Sequence, residues 1–258
     1  MGSGGDGDRD RLAPLRASPS TSVICTDFDG TLAAIVDDPS AARPWPGAPE
    51  VLARLADEYA VVAVVSGRPV AFLQRALPVP GVHLSGLYGL EAVVDGARWD
   101  HPSAGAWREV IDDVAVQSES AGPPGMDVER KGLSLTLHYR NHPSAARRVD
   151  AWARHQAARS GLTVRAGRKS VELHPPISVD KGTVVEGLVD GHSGACFFGD
   201  DRGDLTAFDA LDRLAPRGAC GVRVAVSSAE APAELLARAD VVVDGPGQAV
   251  ALLASLLT

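Results

Sequence analysis

The chain has 258 residues, of which 45% are hydrophobic and 5% aromatic, so it can bury a substantial core and is not a disordered or fibrous protein. A formal net charge of −8 argues against a nucleic-acid or membrane-surface partner. Because no apolar run approaches the roughly 18 residues of a membrane span and the amino terminus has no hydrophobic leader, we expect a cytoplasmic protein.

The first elements along the chain predict a parallel sheet. Residues 1–20 are poor in hydrophobic side chains and contain two prolines, so we expect a disordered extension there. A short buried strand follows from Val23 to Thr26, and the apolar run from Ala60 to Val65 predicts a second strand that is buried on both faces. Helices over 50–59 and 69–77 and a strand over 82–84 complete a βαβαβ pattern, whose right-handed crossovers build one sheet.

The pattern changes after residue 99 and returns near residue 176. Shorter elements in between predict a separate α/β module: helices over 106–120 and 145–160, and strands over 133–139, 162–165 and 170–173. The longer pattern then resumes with strands over 195–198, 222–226 and 240–243 and a helix over 246–257. We therefore predict a core formed by residues 21–99 and 176–258, with a smaller domain inserted over residues 100–175.

Two carboxylates follow the first strand directly. Asp27 and Asp29 flank Phe28 and precede Gly30. Ligands of open α/β sheets bind at the carboxyl ends of the strands, so both side chains would project into that crevice. An ordinary Asp-Gly turn is the alternative.

A second acidic group follows the strand over 195–198 and contains Asp200, Asp201 and Asp204. Three or four carboxylates in one crevice repel one another strongly unless a divalent cation is bound. A ligand set made only of oxygen favours Mg²⁺. The sequence thus predicts a magnesium site, with a solvated acidic loop as the alternative.

Ser66 and Lys181 supply groups that bind a phosphate. The hydroxyl of Ser66, backbone N–H groups after Gly67 and the positive charge of Lys181 can hold phosphoryl oxygens. Lys181 is one of only three lysines among 25 basic residues and precedes a predicted helix. A capping or solvating role for this lysine remains the alternative.

Four ordered motifs resemble those of the haloacid-dehalogenase-like phosphatase superfamily. They are Asp27-Phe-Asp-Gly-Thr-Leu32, Ser66-Gly-Arg68, Lys181-Gly182, and Gly199-Asp-Asp201 with Asp204. The resemblance implies a doubly wound, Rossmann-like parallel-sheet core with an inserted cap domain. It also implies Mg²⁺-dependent phosphate ester hydrolysis.

The same resemblance implies a role for each motif residue. Asp27 would be the nucleophile and Asp29 the general acid/base, which fits a reaction that replaces one difficult hydrolysis with two easier displacements through a phosphoaspartyl intermediate. Asp27, Asp29 and Asp200 would bind the metal, with Asp201 and Asp204 supporting these ligands. The implied phosphate-binding residues are Thr31, Ser66, Gly67, Arg68 and Lys181.

The chain is more closely similar to the trehalose-6-phosphate phosphatase family, and this likeness extends into the inserted module. The segments that carry it are Gly86–Glu91, Glu129–Ser134 running into Leu137–Arg140, and Gly167–Pro175 before Val179–Gly182. It implies a small-molecule substrate, trehalose 6-phosphate, recognised through Glu129, Lys131, Arg140 and Glu172. Those four side chains could equally form a solvated sheet surface.

The sequence departs from the family pattern in two places. Tyr88 stands where the pattern has His, and Gly203 and Leu205 flank Asp204 where Thr and Glu are more usual. Two other functions therefore stay open: a phosphatase of another sugar phosphate such as sucrose 6-phosphate, and a non-catalytic module that binds sugar phosphates. A monomer is the expected state.

Overall fold

The computed structural model describes residues 11–36, 38–167 and 169–257. The chain divides into two compact units, with borders after Trp99 and after Ser178. We call Asp100–Ser178 the inserted unit and the remainder the core unit. The sequence placed these borders after residues 99 and 175, so the structure differs only by three residues at the second one.

In the described ranges the strands are β1 (Ser22–Thr26), β2 (Val61–Val65), β3 (Val82–Gly86), β4 (Glu91–Val94), β5 (Ala97–Asp100), β6 (Asp127–Arg130), β7 (Leu135–His138), β8 (Thr163–Gly167), β9 (Ser170–His174), β10 (Gly194–Gly199), β11 (Cys220–Ser227) and β12 (Val241–Asp244). The α-helices are α1 (Ala13–Ala17), α2 (Ala48–Glu58), α3 (Val70–Ala76), α4 (Arg108–Ala121), α5 (Ala146–Ser160), α6 (Lys181–Val189), α7 (Leu205–Asp212), α8 (Ala233–Arg238) and α9 (Gly245–Ala254).

The core unit is built on a sheet with the strand order β12-β11-β10-β1-β2-β3-β4-β5. Strands β12 to β3 in this order pair in parallel, and β4 joins β3 antiparallel. Every residue of β1 and β10 is buried, as expected for central strands covered on both faces. The predicted doubly wound α/β fold is confirmed.

Side chains of the central strands alternate between two apolar layers. Ile24 of β1 packs with Leu52 of α2 on one face. Its neighbour Cys25 packs with Val185 of α6 and Phe208 of α7 on the other. Helices cover both faces of the central sheet, so ligands cannot reach those faces. The candidate site lies in the loops at the carboxyl ends of the strands, where ligands of open α/β sheets bind.

The inserted unit has an antiparallel sheet in the order β6-β7-β9-β8. Hydrophobic and polar side chains alternate along β7 and β9. Leu135, Leu137 and Leu173 are fully buried, and they form one core with Ile111 of α4 and Val149 of α5. The polar side chains that alternate with them share the other face of the sheet.

The prediction of a disordered extension is wrong for residues 11–20. Helix α1 occupies Ala13–Ala17, and both Leu12 and Leu15 are fully buried in the core of the sheet. Burying a leucine contributes about 1.5–3 kcal/mol, so the two leucines offset part of the conformational entropy that is lost when this segment is ordered. Residues 1–10, which the same prediction covered, lie outside the described residues.

Candidate active site

The candidate site begins where β1 and β10 end side by side. Thr26 is paired with Phe198, and the backbone N–H of Asp27 donates a 2.8 Å hydrogen bond to the Phe198 carbonyl, which extends this parallel pairing by one residue. The next residues of β10 lead to Asp200. Both carboxylates are buried, with 4% of Asp27 and 5% of Asp200 exposed.

A tight turn after Asp27 keeps the two acidic segments together. Gly30 has a φ of +80°, a left-handed conformation that disfavours other residues. A Cβ atom at this position would also overlap the carboxylate of Asp200. Glycine is therefore required at position 30 both by the turn and by the close approach of Asp200.

Lys181 supplies a positive charge to this crevice. It is the first residue of α6, which is capped by Asp180 through a reciprocal pair of hydrogen bonds with Thr183. Its buried Nζ lies 3.0 Å from Oδ1 of Asp27 and 2.6 Å from Oδ1 of Asp204. The helix start thus fixes the ammonium between two carboxylates.

Both oxygens of Asp204 are engaged. Oδ1 accepts a hydrogen bond from Lys181, and Oδ2 accepts from the backbone N–H groups of Asp200 and Asp201 at 2.9 and 3.0 Å. Asp204 is fully buried, and a side chain at Gly199 would overlap it. Asp204 therefore holds the backbone of the loop that carries Asp200.

The electrostatics of this group are unusual. Burial raises the pKa of Asp27 far above its ordinary value, and the attraction of Lys181 offsets this only in part. Burial and repulsion from Asp27 likewise raise the pKa of Asp200. Burial raises the pKa of Asp204 to about 6 against the attraction of Lys181. Burial opposes the charged form of Lys181 too, but Asp204 and Asp27 raise its pKa well above the ordinary value.

These carboxylates fit a divalent cation. Asp27, Asp200 and Asp204 each offer an oxygen atom, and these atoms lie within 4.8 Å of one another. Among the described residues, none donates a hydrogen bond to the carboxylate of Asp200. Since Asp204 has both oxygens occupied, Asp27 and Asp200 are the side chains with room for a hard cation that prefers oxygen ligands.

Asp29 forms an ion pair with Arg68, whereas the sequence predicted that it would bind the metal. Arg68 donates two hydrogen bonds of 2.7 Å to the two oxygens of Asp29, and a third of 2.8 Å to the carbonyl of Pro39. Its guanidinium also stacks on the ring of Phe72 at 4.5 Å. In this structure the three clustered carboxylates include Asp204 rather than Asp29.

The predicted phosphate-binding residues lie on the loops that follow the neighbouring strands β1 and β2 and at the start of α6. Ser66 follows β2, is buried, and accepts a 3.2 Å hydrogen bond from the backbone N–H of Arg68. The hydroxyl of Thr31 is buried and has no hydrogen-bond partner among the residues that the structure describes. Hydroxyls, backbone N–H groups and Lys181 thus line the loops around the acidic cluster.

The four predicted sugar-binding residues belong to the inserted unit. Glu129, Thr136 and Glu172 face one another across β6, β7 and β9, so their side chains lie on the polar face of this sheet. Ser134 donates a 2.7 Å hydrogen bond to Glu172, and Lys131 lies 3.8 Å from the same carboxylate oxygen.

One further contact lies on this face. His138 contacts Glu129 at 2.8 Å, and Arg140 lies just beyond the end of β7. The sequence did not single out His138, Ser134 or Thr136. Their alternation with Leu135 and Leu137 was the signal that could have placed them on the polar face.

The chain is similar in sequence and in fold to several known proteins. A family model described as trehalose-phosphatase matches residues 25–240. A trehalose-phosphate phosphatase of Mycobacterium leprae is 39% identical over 202 residues, which cover 72% of this chain and 46% of that protein. The chain therefore spans about half the length of the curated relatives it matches. No helix in the described ranges is both long and apolar enough to cross a membrane.

Two solved structures extend the likeness in fold. The carboxyl-terminal domain of the Candida albicans trehalose-6-phosphate phosphatase superposes with a TM-score of 0.79 at 24% identity, covering 97% of this chain and 96% of that one. A protein of the haloalkanoate enzyme superfamily from Bacteroides thetaiotaomicron superposes with a TM-score of 0.54 at 18% identity, covering 93% and 95%. With the family model matching most of its length, the chain belongs to the trehalose-phosphatase family.

Proposed function

We propose that this protein hydrolyses trehalose 6-phosphate to trehalose and phosphate, with Asp27 as the nucleophile and Mg²⁺ as the cofactor. The observation that carries the proposal is the buried group of Asp27, Asp200 and Asp204 around Lys181 at the ends of β1 and β10. Such an excess of buried negative charge is unfavourable for folding. A bound cation offsets this charge and can also hold a phosphoryl group.

The reaction has two displacements. An oxygen of Asp27 attacks phosphorus, and the bond from phosphorus to the sugar oxygen breaks as Asp29 donates a proton to that oxygen. Asp29 then accepts a proton from water, which attacks the phosphoaspartyl group and releases phosphate and a free Asp27. A Mg²⁺ ion held by Asp27 and Asp200 would stabilise the negative charge on the phosphoryl oxygens.

Arg68 connects substrate binding to the availability of Asp29. Its two hydrogen bonds hold Asp29 as an ion pair in the present structure. Guanidinium groups bind phosphate in the same bidentate manner as carboxylate. We infer that a bound phosphoryl group competes for Arg68. Asp29, released from the ion pair, can then take up a proton from solvent and donate it to the sugar oxygen of the substrate.

Recognition of the sugar is assigned to the polar face of the inserted unit. A sugar offers hydroxyl groups, and hydrogen bonds from these to charged groups are worth about 1.5–3 kcal/mol each. Glu129, Lys131, Arg140 and Glu172 are charged, whereas the groups around Asp27 contact the phosphoryl end that all sugar phosphates share. The inserted unit therefore decides between trehalose 6-phosphate and sucrose 6-phosphate.

The test is phosphate release from a panel of phosphorylated sugars and an aryl phosphate, each with Mg²⁺ and with EDTA. We expect trehalose 6-phosphate to have the highest kcat/KM and EDTA to abolish turnover. Preference for sucrose 6-phosphate would replace the substrate but keep the mechanism. Binding of sugar phosphates without any turnover would instead identify a non-catalytic module.

Two variants locate sugar recognition. Glu172→Gln should lower kcat/KM for trehalose 6-phosphate by about 10- to 100-fold, the rate equivalent of one charged hydrogen bond. Hydrolysis of the aryl phosphate should hardly change. Glu119→Gln is the control, because Glu119 is exposed and forms its ion pair with the exposed Arg130 in the same unit. Equal loss on both substrates after Glu172→Gln would assign Glu172 to the fold instead.

A further inference from the structure

The segment between β3 and β4 has a strained backbone. Leu87 and Tyr88 have φ values of +50° and +60°, in the left-handed region that residues other than glycine rarely adopt. They are consecutive and are followed by Gly89 with a φ of +106°. Strain of this kind persists only where the surrounding structure imposes it, and it is common at functional sites.

The surrounding structure does impose it. The backbone N–H of Leu87 donates to the carbonyl of Arg68, and that of Tyr88 donates to the carbonyl of Ser66, both at 3.0 Å. A side chain at Gly86 would come within 2.6 Å of the backbone nitrogen of Val70. The strained segment is therefore fastened to the loop after β2, which carries the predicted phosphate-binding groups.

The side chain of Tyr88 lies across that loop. A Cβ atom on Gly67 would come within 2.6 Å of both the Cζ atom and the hydroxyl oxygen of Tyr88. The phenolic end of the ring, rather than its base, thus covers the backbone of Gly67. On its other edge, Cε1 lies 4.0 Å from the Cβ position of Gly203 in the acidic loop after β10. Tyr88 spans the two loops and remains partly exposed.

We propose that Tyr88 contacts the phosphoryl group of the substrate through its hydroxyl, as a phosphate-positioning residue outside the four superfamily motifs and the metal site. This inference rests on the proposed phosphatase function. A phosphoryl oxygen bound at Ser66 and the Gly67 backbone lies beside the phenolic oxygen, since that oxygen already covers Gly67. The phenolic O–H then donates to an anion, which is a stronger bond than one to a neutral acceptor.

Tyr59 provides a matched comparison. Its hydroxyl donates a 2.9 Å hydrogen bond to the carbonyl of Leu256 and is buried in the core, so its role is structural. Replacement of either tyrosine with phenylalanine keeps the ring and removes one hydroxyl. The two variants therefore separate a hydroxyl that stabilises the fold from one that contacts substrate.

The experiment compares Tyr88→Phe and Tyr59→Phe on trehalose 6-phosphate, on an aryl phosphate and in calorimetric titration with inorganic phosphate in the presence of Mg²⁺. We expect Tyr88→Phe to lower kcat/KM by about 10- to 100-fold on both substrates and to weaken phosphate binding, because the lost bond is to the group they share. Its Tm should stay close to that of the wild type. Tyr59→Phe should lower Tm and leave kcat/KM unchanged.

Loss on trehalose 6-phosphate alone would overturn the proposal and make Tyr88 a sugar contact. Unchanged kinetics and unchanged phosphate binding would overturn it as well. If the wild type hydrolyses the aryl phosphate but not trehalose 6-phosphate, the proposed substrate fails while the role of Tyr88 is still tested. Phosphate binding provides the same test if neither substrate is hydrolysed.

A double-mutant cycle tests the packing on which the inference depends. Gly67→Ala should reduce phosphate binding in the wild type, because the added Cβ atom displaces the phenol. In a Tyr88→Ala background the same change should have a smaller effect, because the atoms nearest to the added Cβ atom belong to the phenol of Tyr88. Equal effects in both backgrounds would mean that Tyr88 does not act at Gly67.

Discussion

The core unit holds two dense groups of charged side chains that differ in burial and balance. One is the buried cluster, defined as Asp27, Asp200, Asp204 and Lys181. The other is the surface network, defined as Asp209, Asp212, Asp240, Arg223 and Arg238. The buried cluster contains three carboxylates and one ammonium group. The surface network contains three carboxylates and two guanidinium groups, and its side chains are partly exposed to water.

The pKa values show what this difference means. In the buried cluster, the carboxylate pKa values rise, mainly through burial, so the charged forms are disfavoured. In the surface network, partial burial opposes the charge of Asp240, but hydrogen bonds from Arg223 hold its pKa below the ordinary value. The same pairing raises the pKa of Arg223.

The two groups of charges differ in whether they need a ligand. The surface network is satisfied by its own members and contributes to stability. The buried cluster is not satisfied without a further positive charge, and it lies where α/β sheets bind ligands.

The largest expected effect follows Asp27→Asn. Turnover should fall by about 10⁴-fold or more, since the amide cannot form the phosphoaspartyl intermediate. Without Mg²⁺ the Tm should be unchanged or higher, because the raised pKa of Asp27 means that its charged form opposes folding. Steady-state kinetics and thermal unfolding in EDTA check both parts. Substantial residual turnover in a sequence-verified preparation would remove Asp27 from the mechanism.

Lys181→Met should destabilise the protein by about 3–5 kcal/mol at neutral pH, because it leaves the buried carboxylates without their cation. Mg²⁺ should restore part of this stability. Urea unfolding with EDTA and with Mg²⁺ measures both effects. Lys169→Met, which changes an exposed lysine, is the control. If the two variants unfold alike, the buried cluster is not held together by Lys181.

Asp204→Asn should lower kcat/KM by about 10- to 100-fold on all substrates, as expected for a group that orients ligands. Asparagine has one acceptor oxygen, so it cannot serve both Lys181 and the two backbone N–H groups that Asp204 binds. Michaelis–Menten kinetics on trehalose 6-phosphate and an aryl phosphate provide the measurement. A loss confined to one substrate would contradict this role.

The smallest effect is expected in the surface network. Arg223→Met should cost about 1 kcal/mol at neutral pH and leave kcat/KM unchanged. Because the pKa of Asp240 is lowered in the folded protein, its contribution is present above the unfolded-state value of about 3.9 and is lost as pH falls through the folded value. Urea unfolding of variant and wild type should therefore converge in acid. A constant difference across this range would show that the charges of the network do not stabilise the fold.

Sequence patterns predicted the centre of the molecule better than its edges. Strand β2 was readable because a parallel strand buried on both faces is one apolar run, Val61–Val65. Strand β5, at the sheet edge, is mostly exposed and has no such run. Helix α1 was missed because Leu12 and Leu15 lie in a short segment with few large apolar side chains and a proline, and only tertiary packing shows that they are buried.

The site was predictable to the extent that backbone position determines it. Asp27 and Asp200 follow strands that turn out to be neighbours, so their convergence could be expected. The bond between Arg68 and Asp29 could not, because it depends on the direction of two side chains from separate loops. The contact of Tyr88 with Gly67 was hidden for the same reason.

The most direct test of the account is calorimetric titration of Mg²⁺ into the metal-free wild type, Asp200→Asn and Asp212→Asn. We expect the wild type and Asp212→Asn, which changes only the surface network, to bind one ion per chain with equal affinity, and Asp200→Asn to lose this binding. Equal binding by Asp200→Asn, or no binding by the wild type, would contradict the claim that the buried cluster is a metal site.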